Sequence, residues 1–117
     1  MKKQNDDAPV AVGKAYDFVL WLLPKVENFP RNHRFTVGER LTTHGLDLLM
    51  SLVEAAYARN KGDLLEQASR KVNSTRFLLR MAKDLKLMSV DAYGFSAERL
   101  DEIGRMVGGW SKAAAKP

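Results

Sequence analysis

The side chains of this chain that could do chemistry are mostly cations, and they concentrate in one segment. Between residues 70 and 86 there are six basic residues and one acidic residue, Asp84, so this segment alone equals the net charge of +5 of the 117-residue chain. The six are Arg70, Lys71, Arg76, Arg80, Lys83 and Lys86. Such a run suits a phosphate backbone, because each phosphate that a cation neutralises releases a counterion. The segment is a candidate nucleic-acid-binding surface.

Two interpretations of this basic segment stay open. Arg76, Arg80 and Lys83 fall within about 60° of one another on a helical wheel, which would place them on one side of a helix. Arg76 and Arg80 are four residues apart, and like charges at that spacing are mildly destabilising unless an anion lies nearby. The anion is either a bound ligand or a carboxylate of a neighbouring helix or subunit. Suitable carboxylates are Glu98, Asp101 and Glu102.

A second basic group follows Pro30, where Arg31, His33 and Arg34 occupy the connection between the first two predicted helices. These arginines are candidates for the same anionic ligand. Sequence alone does not place them next to the first group.

Residues for catalysis are missing from the sequence. The chain has no cysteine, which excludes disulfides and thiol chemistry. Its two histidines, His33 and His44, have no serine or carboxylate partner at a suggestive spacing and are too few for a zinc site. The glycines form no phosphate-binding loop. We therefore expect no enzymatic activity, no cofactor and no metal.

Targeting signals are missing as well. The longest apolar run, residues 18–23, is far shorter than the roughly 20 residues that span a bilayer. Residues 1–9 are polar and charged, unlike a secretion signal. We expect a cytoplasmic protein with no membrane association, a flexible arm at 1–9 and a flexible tail at 113–117.

The elements that position the cations are helices, because apolar residues alternate at spacings of three and four in four segments. The first helix covers about residues 10–28, and Pro24 should kink it or end its regular hydrogen bonding. The second begins at a capping box formed by Thr36 and Glu39. The third covers about 63–87 and begins at a similar pair, Asp63 and Glu66. The fourth begins after a cap at Ser89 and ends near residue 112.

Four helices with short connections predict an all-α protein over residues 10–112, an up-down-up-down four-helix bundle. The second helix carries more apolar surface than the core of such a bundle needs. Either a thin bundle requires a wide apolar arc, or a second copy of the chain packs there. The interface candidates are Trp21 on the first helix and Leu46, Met50, Val53 and Tyr57 on the second.

Three strings in the chain resemble the accessory variability determinant (Avd) proteins of diversity-generating retroelements. They are Phe29–Arg40 (FPRNHRFTVGER), Arg76–Leu85 (RFLLRMAKDL) and Glu102–Trp110 (EIGRMVGGW). The Avd proteins belong to a wider four-helix-bundle family that includes proteins encoded in intervening sequences of bacterial large-subunit ribosomal RNA genes. The resemblance covers about residues 12–112.

The resemblance implies a non-catalytic accessory protein that assembles as a barrel-like homopentamer. Such a protein binds the reverse transcriptase of its retroelement and RNA, and possibly DNA, through a basic surface, and supports mutagenic copying of a template repeat. The binding residues that lie in the matching strings are Arg31, Arg34, Arg76, Arg80, Lys83 and Arg105. Arg70, Lys71 and Lys86 join them on charge alone.

Two other functions fit the same fold. One is that of a ribosomal RNA intervening-sequence type protein, with a nucleic-acid-associated role and no reverse transcriptase partner. The other is that of a helical assembly module whose cations pair with carboxylates between subunits and bind no nucleic acid.

Overall fold

The computed structural model describes residues 7–115, with side chains from Val10 onward. Within this range the chain forms four long helices and no strand: α1 (Asp7–Glu27), α2 (Glu39–Tyr57), α3 (Gly62–Asp84) and α4 (Val90–Ala115). The predicted all-α, four-helix architecture is confirmed. Residues 1–6 of the predicted arm and 116–117 of the predicted tail lie outside the described range, whereas residues 7–9 and 113–115 belong to α1 and α4.

The helices form an elongated bundle of 48 × 23 × 21 Å. Both α1 and α3 pack against α2 and α4. Because the connections at 28–38, 58–61 and 85–89 are short, consecutive helices run in opposite directions. The α1–α2 and α3–α4 connections therefore share one end of the bundle, and the α2–α3 connection lies at the other end. No helix among residues 7–115 has the length and apolar content needed to cross a bilayer.

The core follows the predicted helical periodicity. On α2 the stripe of apolar residues and one glycine spaced three and four apart is buried throughout: Leu41, Gly45, Leu48, Leu52 and Ala55. The stripe on α3 is buried from Ala68 to Ala82, with Leu64 half-buried and Leu85 exposed at its two ends. The stripe on α4 is buried from Leu100 to Trp110 and half-buried at Tyr93 and Ala97. Apolar spacing therefore predicted the helix faces that form the core and was less accurate at the helix ends.

Helix α1 continues through Pro24 and ends at Glu27, so the proline does not end the helix. Pro24 lies on the exposed side, where the hydrogen bond that it cannot donate costs little. The chain then leaves the helix through two tight turns. The N–H groups of Asn28 and Phe29 donate to the carbonyls of Lys25 and Val26 at 3.2 and 2.9 Å.

The capping box predicted at Thr36 and Glu39 is wrong. The α1–α2 connection is itself helical, with one α-helical turn at Arg31–His33 and a π-helical turn at Arg34–Gly38 that runs directly into α2. The first N–H groups of α2 therefore donate to carbonyls of this helical connection. As a result α2 has no open N-terminus for Thr36 to cap. Its hydroxyl instead donates to the His33 carbonyl at 3.3 Å.

The cap predicted at Asp63 and Glu66 is also wrong, because α3 already begins at Gly62. The N–H of Gly62 donates to the side-chain oxygen of Asn60 at 3.3 Å. Lys61 closes the preceding helix by donating to the carbonyls of Ala55 and Ala58 at 2.7 and 2.6 Å. Charged and amide side chains of the turn thus satisfy both helix ends.

The cap predicted at Ser89 is confirmed, since its hydroxyl oxygen accepts from the N–H of Ala92 at 3.0 Å. The end of α3 differs from the prediction: the helix stops at Asp84, not near Leu87. Lys86 has φ of 63°, and the N–H groups of Lys86 and Leu87 donate to the carbonyls of Lys83 and Ala82. This pair of bonds is a Schellman motif, which usually places glycine where Lys86 stands.

Candidate nucleic-acid interface

The six cations of the basic segment point in different directions. Lys71 faces α2, and Arg76 and Lys83 face α4. Arg70 and Arg80 are exposed on α3, and Lys86 is exposed just beyond its end. The surroundings of each cation therefore decide which of them remain available to an external anion.

Arg76 is held by the neighbouring helix. Its guanidinium pairs with Asp101 on α4 at 3.0 Å. The helices come close at this point because α4 has Gly104 there, where a Cβ atom would lie 3.2 Å from the Arg76 guanidinium and 3.5 Å from Val72. The sequence left two kinds of anion open for Arg76, a bound ligand or a carboxylate of a neighbouring helix or subunit. The structure provides a carboxylate of a neighbouring helix.

Lys71 lies in a polar contact between α2 and α3. Its ammonium is 3.4 Å from Nδ1 of His44 and 3.9 Å from the carboxylate of Asp47. Partial burial lowers the pKa of His44, and the charges of Lys71 and Arg40 lower it further against the opposing effect of Asp47. A neutral His44 can accept a hydrogen bond from Lys71. Lys71 is therefore engaged within the bundle.

Two more cations have partners close by in sequence or space. Arg70 pairs with Glu66 on the same helix at 3.0 Å. Lys83 lies 3.5 Å from the carboxylate of Asp84 and 4.8 Å from the ring centre of Tyr93. The contact with Tyr93 is a cation–π interaction that joins α3 to α4.

Four of the five remaining predicted cations gather at one end of the molecule. Arg80 and Lys86 lie near the end of α3, and Arg31 and Arg34 lie in the α1–α2 connection at the same end of the bundle. All four are exposed, and none has a carboxylate of residues 10–115 within 4 Å. The up-down-up-down topology thus unites the two basic groups that the sequence left separate.

Arg40, in the first turn of α2, belongs to the same group and was missed by sequence reasoning. It is exposed and lines a groove together with Phe35, Leu78 and Met81, which links the start of α2 to the second half of α3. Its position as the last residue of the string Phe29–Arg40 was the available signal. We call the five residues Arg31, Arg34, Arg40, Arg80 and Lys86 the basic end.

Arg105 lies apart from the basic end, in the middle of α4. It is exposed and shares a shallow concavity with four charged residues of the same helix: Glu98, Arg99, Asp101 and Glu102. The carboxylates there also serve other cations, since Asp101 pairs with Arg76 and Glu102 pairs with Lys14. Arg105 is thus surrounded by mixed charge. No group of three or more His, Asp or Glu residues within 7–115 is arranged to hold a metal ion.

The residues predicted to form an oligomer interface do not all share one surface. Leu46, Met50 and Tyr57 are exposed along α2, and Tyr57 is 89% exposed. Val53 lies between them, half-buried against the core. Trp21 packs instead on the α4 side of α1, with its ring centre 5.2 Å from that of Phe95. For Trp21, packing within the bundle accounts for the apolar surface.

Two exposed residues of α1 extend the apolar surface of α2. A Cβ atom on Gly45 of α2 would lie 3.0 Å from Leu22 and 3.8 Å from Val19 of α1, which identifies the side of each helix that faces the other. On a helical wheel, Tyr16 and Leu20 lie on that side of α1, as the exposed apolar residues of α2 do on theirs. We call Tyr16, Leu20, Leu46, Met50 and Tyr57 the α1–α2 face. All five are at least 39% exposed.

The fold defines a class of four-helix-bundle proteins with known structures. A crystal structure of a protein of unknown function from the S23 ribosomal protein family of Bacteroides thetaiotaomicron matches with a TM-score of 0.84. The match covers 91% of this chain and 98% of that one at 15% sequence identity, so it shows a common fold alone.

Sequence comparison identifies the family within this class. The family model described as bAvd-like matches residues 9–114, nearly the whole chain, and the chain therefore belongs to the bAvd-like family. The resemblance to Avd proteins is confirmed. A search of curated proteins gives no significant match.

Proposed function

We propose that this protein is a non-catalytic accessory protein of a diversity-generating retroelement. It binds the reverse transcriptase of the element and the RNA or cDNA on which that enzyme works, in the cytoplasm, and supports mutagenic copying of the template repeat. The chemistry belongs to the reverse transcriptase. This chain acts by binding and positioning.

The observation that carries the proposal is the bAvd-like family match over residues 9–114. The electrostatics of the bundle support it. Arg70, Lys71, Arg76 and Lys83 have partners within the chain, while the basic end presents cations without carboxylate partners among residues 10–115. A phosphate backbone supplies the missing negative charge, so nucleic acid is the ligand class that this surface suits.

The proposal includes assembly into a homo-oligomer, a pentamer as in the resemblance. The α1–α2 face supports it, because a contiguous exposed apolar surface on a bundle is typical of a protein–protein interface. In a closed ring the basic end of every protomer would repeat around the symmetry axis. Light scattering on the purified chain measures the number of subunits.

The proposal predicts a reverse transcriptase gene beside this one. The main test is co-expression with that enzyme, followed by affinity purification and RNA-binding measurements at several salt concentrations. We expect the two proteins to co-purify and the RNA affinity to fall steeply with salt, because binding releases counterions. A protein that neither co-purifies nor binds RNA would contradict the proposal and favour an assembly module. RNA binding without a reverse transcriptase partner would favour the ribosomal RNA intervening-sequence type.

A charge-reversal pair assigns the binding to the basic end. Arg80→Glu should weaken RNA binding and reduce its salt dependence, since it removes a phosphate contact. Arg59→Glu makes the same charge change on an exposed residue in the α2–α3 connection, at the opposite end of the bundle, and should have a smaller effect. Equal losses in the two variants would show that net charge matters and the basic end does not.

A further inference from the structure

Two phenylalanine rings at the basic end are exposed to solvent. Phe35 in the α1–α2 connection is 67% exposed and Phe77 on α3 is 68% exposed. The core of the bundle is closed without them, and no aromatic or cation–π partner within residues 7–115 contacts either ring. An exposed phenylalanine forgoes the free energy of burying its ring, so two such rings on adjoining elements point to a surface with a ligand.

The two rings lie on either side of Met81. Phe35 and Met81 line the same groove, between the start of α2 and the second half of α3. Phe77 precedes Met81 by four residues on α3, which makes them neighbours on the helix surface. Met81 is half exposed, at 50%. Phe35, Met81 and Phe77 thus form a narrow apolar strip that leads from the groove onto the outer side of α3, and we call it the aromatic strip.

Arginines border the aromatic strip. Arg34 adjoins Phe35 in sequence, Arg40 lines the groove, and Arg80 lies three residues after Phe77 on the same side of α3. The groove lining holds one acidic and one basic residue, Glu39 and Arg40, so the excess of positive charge comes from Arg34 and Arg80 beside it. The α1–α2 face differs: its neighbours on the outer sides of α1 and α2 include Asp17 and Glu54, and none of the arginines of the basic end.

We propose that the aromatic strip binds single-stranded nucleic acid by stacking unpaired bases on Phe35 and Phe77 while Arg34, Arg40 and Arg80 contact the phosphates. Aromatic rings that alternate with cations suit a single strand, because every unpaired base offers a π-face and the backbone runs beside it. In a duplex the base faces are already stacked on one another and cannot reach the rings. This inference rests on the nucleic-acid binding in the proposed function and specifies its form.

The experiment measures binding of a fluorescein-labelled oligouridine of about 20 nucleotides and of its duplex with oligoadenosine, by fluorescence anisotropy at several salt concentrations. We expect the wild-type protein to prefer the single strand. The double variant Phe35→Leu/Phe77→Leu should bind the single strand at least about tenfold more weakly, because each ring lost removes one stacking contact. Its salt dependence should stay that of the wild type, since no charge is removed.

Phe35→Trp/Phe77→Trp is the matched control. It keeps an aromatic face at both positions and should retain single-strand binding, whereas a merely structural role of the rings would make leucine at least as good a replacement as tryptophan. Because both rings are exposed, circular dichroism should show the same thermal unfolding midpoint for both double variants as for the wild type.

The remaining outcomes separate failure of this inference from failure of the proposed function. Salt-dependent RNA binding that the leucine variant retains in full would overturn base stacking and leave the proposed function standing. A leucine variant that binds RNA normally but no longer co-purifies with the reverse transcriptase would show that the strip binds protein, and would likewise overturn it. A wild-type protein that binds neither probe at low salt would overturn the nucleic-acid part of the proposed function and this inference together.

Discussion

At the scale of single residues, Lys86 has a backbone conformation that its side chain disfavours. It has φ of 63° at the end of α3, a left-handed conformation that disfavours any residue with a Cβ atom. We expect Lys86→Gly to raise the free energy of unfolding by about 1 kcal/mol, measured by urea denaturation.

Lys86→Ala is the control for that measurement, because it removes the same charge and keeps the Cβ atom. Equal stability of the glycine and alanine variants would show that a Cβ atom in this left-handed conformation costs no stability. The lysine also belongs to the basic end, and the proposed function uses its positive charge there.

His44 makes stability depend on pH. Burial, Lys71 and Arg40 place its pKa in the folded protein below the ordinary value of 6.5. In the interval between the folded pKa and 6.5 the unfolded chain binds more protons, so stability falls as the pH is lowered through that interval and no further below it. His44→Gln cannot titrate and should lose less stability between pH 7.5 and pH 5.5 than the wild type, measured by urea denaturation. An identical loss of stability in both proteins would contradict the lowered pKa of His44.

At the scale of the elements, the sequence predicted helix faces well and helix ends poorly. The stripe on α2 is set by apolar spacing within the helix, which is local information. The cap at Thr36 failed because its four-residue pattern does not reveal that the preceding residues are already helical. The cap at Ser89 succeeded because a true non-helical loop precedes it.

The candidate site, too, was predicted from the sequence only in part. The sequence located the cations, and it even named Asp101 among the possible partners of Arg76. Which cations remain unpaired depends on contacts between residues far apart in the chain, such as Lys71 with Asp47. Phe77 and Met81 could have been found, because both lie more than 100° from the centre of the α3 stripe. Phe35 could not, since its exposure depends on the path of the connection.

Two helix glycines should respond oppositely to substitution by alanine. Alanine favours a helix over glycine by up to about 1 kcal/mol. At Gly108 a Cβ atom would meet nothing within 4 Å, so Gly108→Ala should stabilise the protein by roughly that amount. At Gly45 it would lie 3.0 Å from Cδ2 of the buried Leu22, so Gly45→Ala should be destabilising because the α1–α2 contact must open. Urea denaturation checks both, and a stabilising Gly45→Ala would show that α1 is free to move.

At the scale of the whole molecule, the net charge of +5 matters through the position of the cations on the bundle. The described bundle is 48 Å long, and the five cations of the basic end share one end of it. The α1–α2 face runs along the side of the bundle, so assembly through it would leave the basic end uncovered. In a ring the contacts are heterologous, and the α1–α2 face of one copy would meet a different surface of the next. A change on that face alone should therefore be sufficient to break every contact in the ring.

The last prediction tests that arrangement. Met50 lies in the middle of the α1–α2 face and is 47% exposed, so Met50→Glu should leave the bundle folded while placing a charge in the proposed interface. We expect light scattering to show an oligomer for the wild type and mainly monomers for Met50→Glu, with unchanged helical circular dichroism, because a desolvated and unpaired carboxylate opposes association. Met50→Leu is the control, since it keeps an apolar side chain at the same position, and this variant should keep the wild-type mass. A stable wild-type monomer would refute the homo-oligomer. A Met50→Glu variant with the wild-type mass would instead place its interface elsewhere on the bundle.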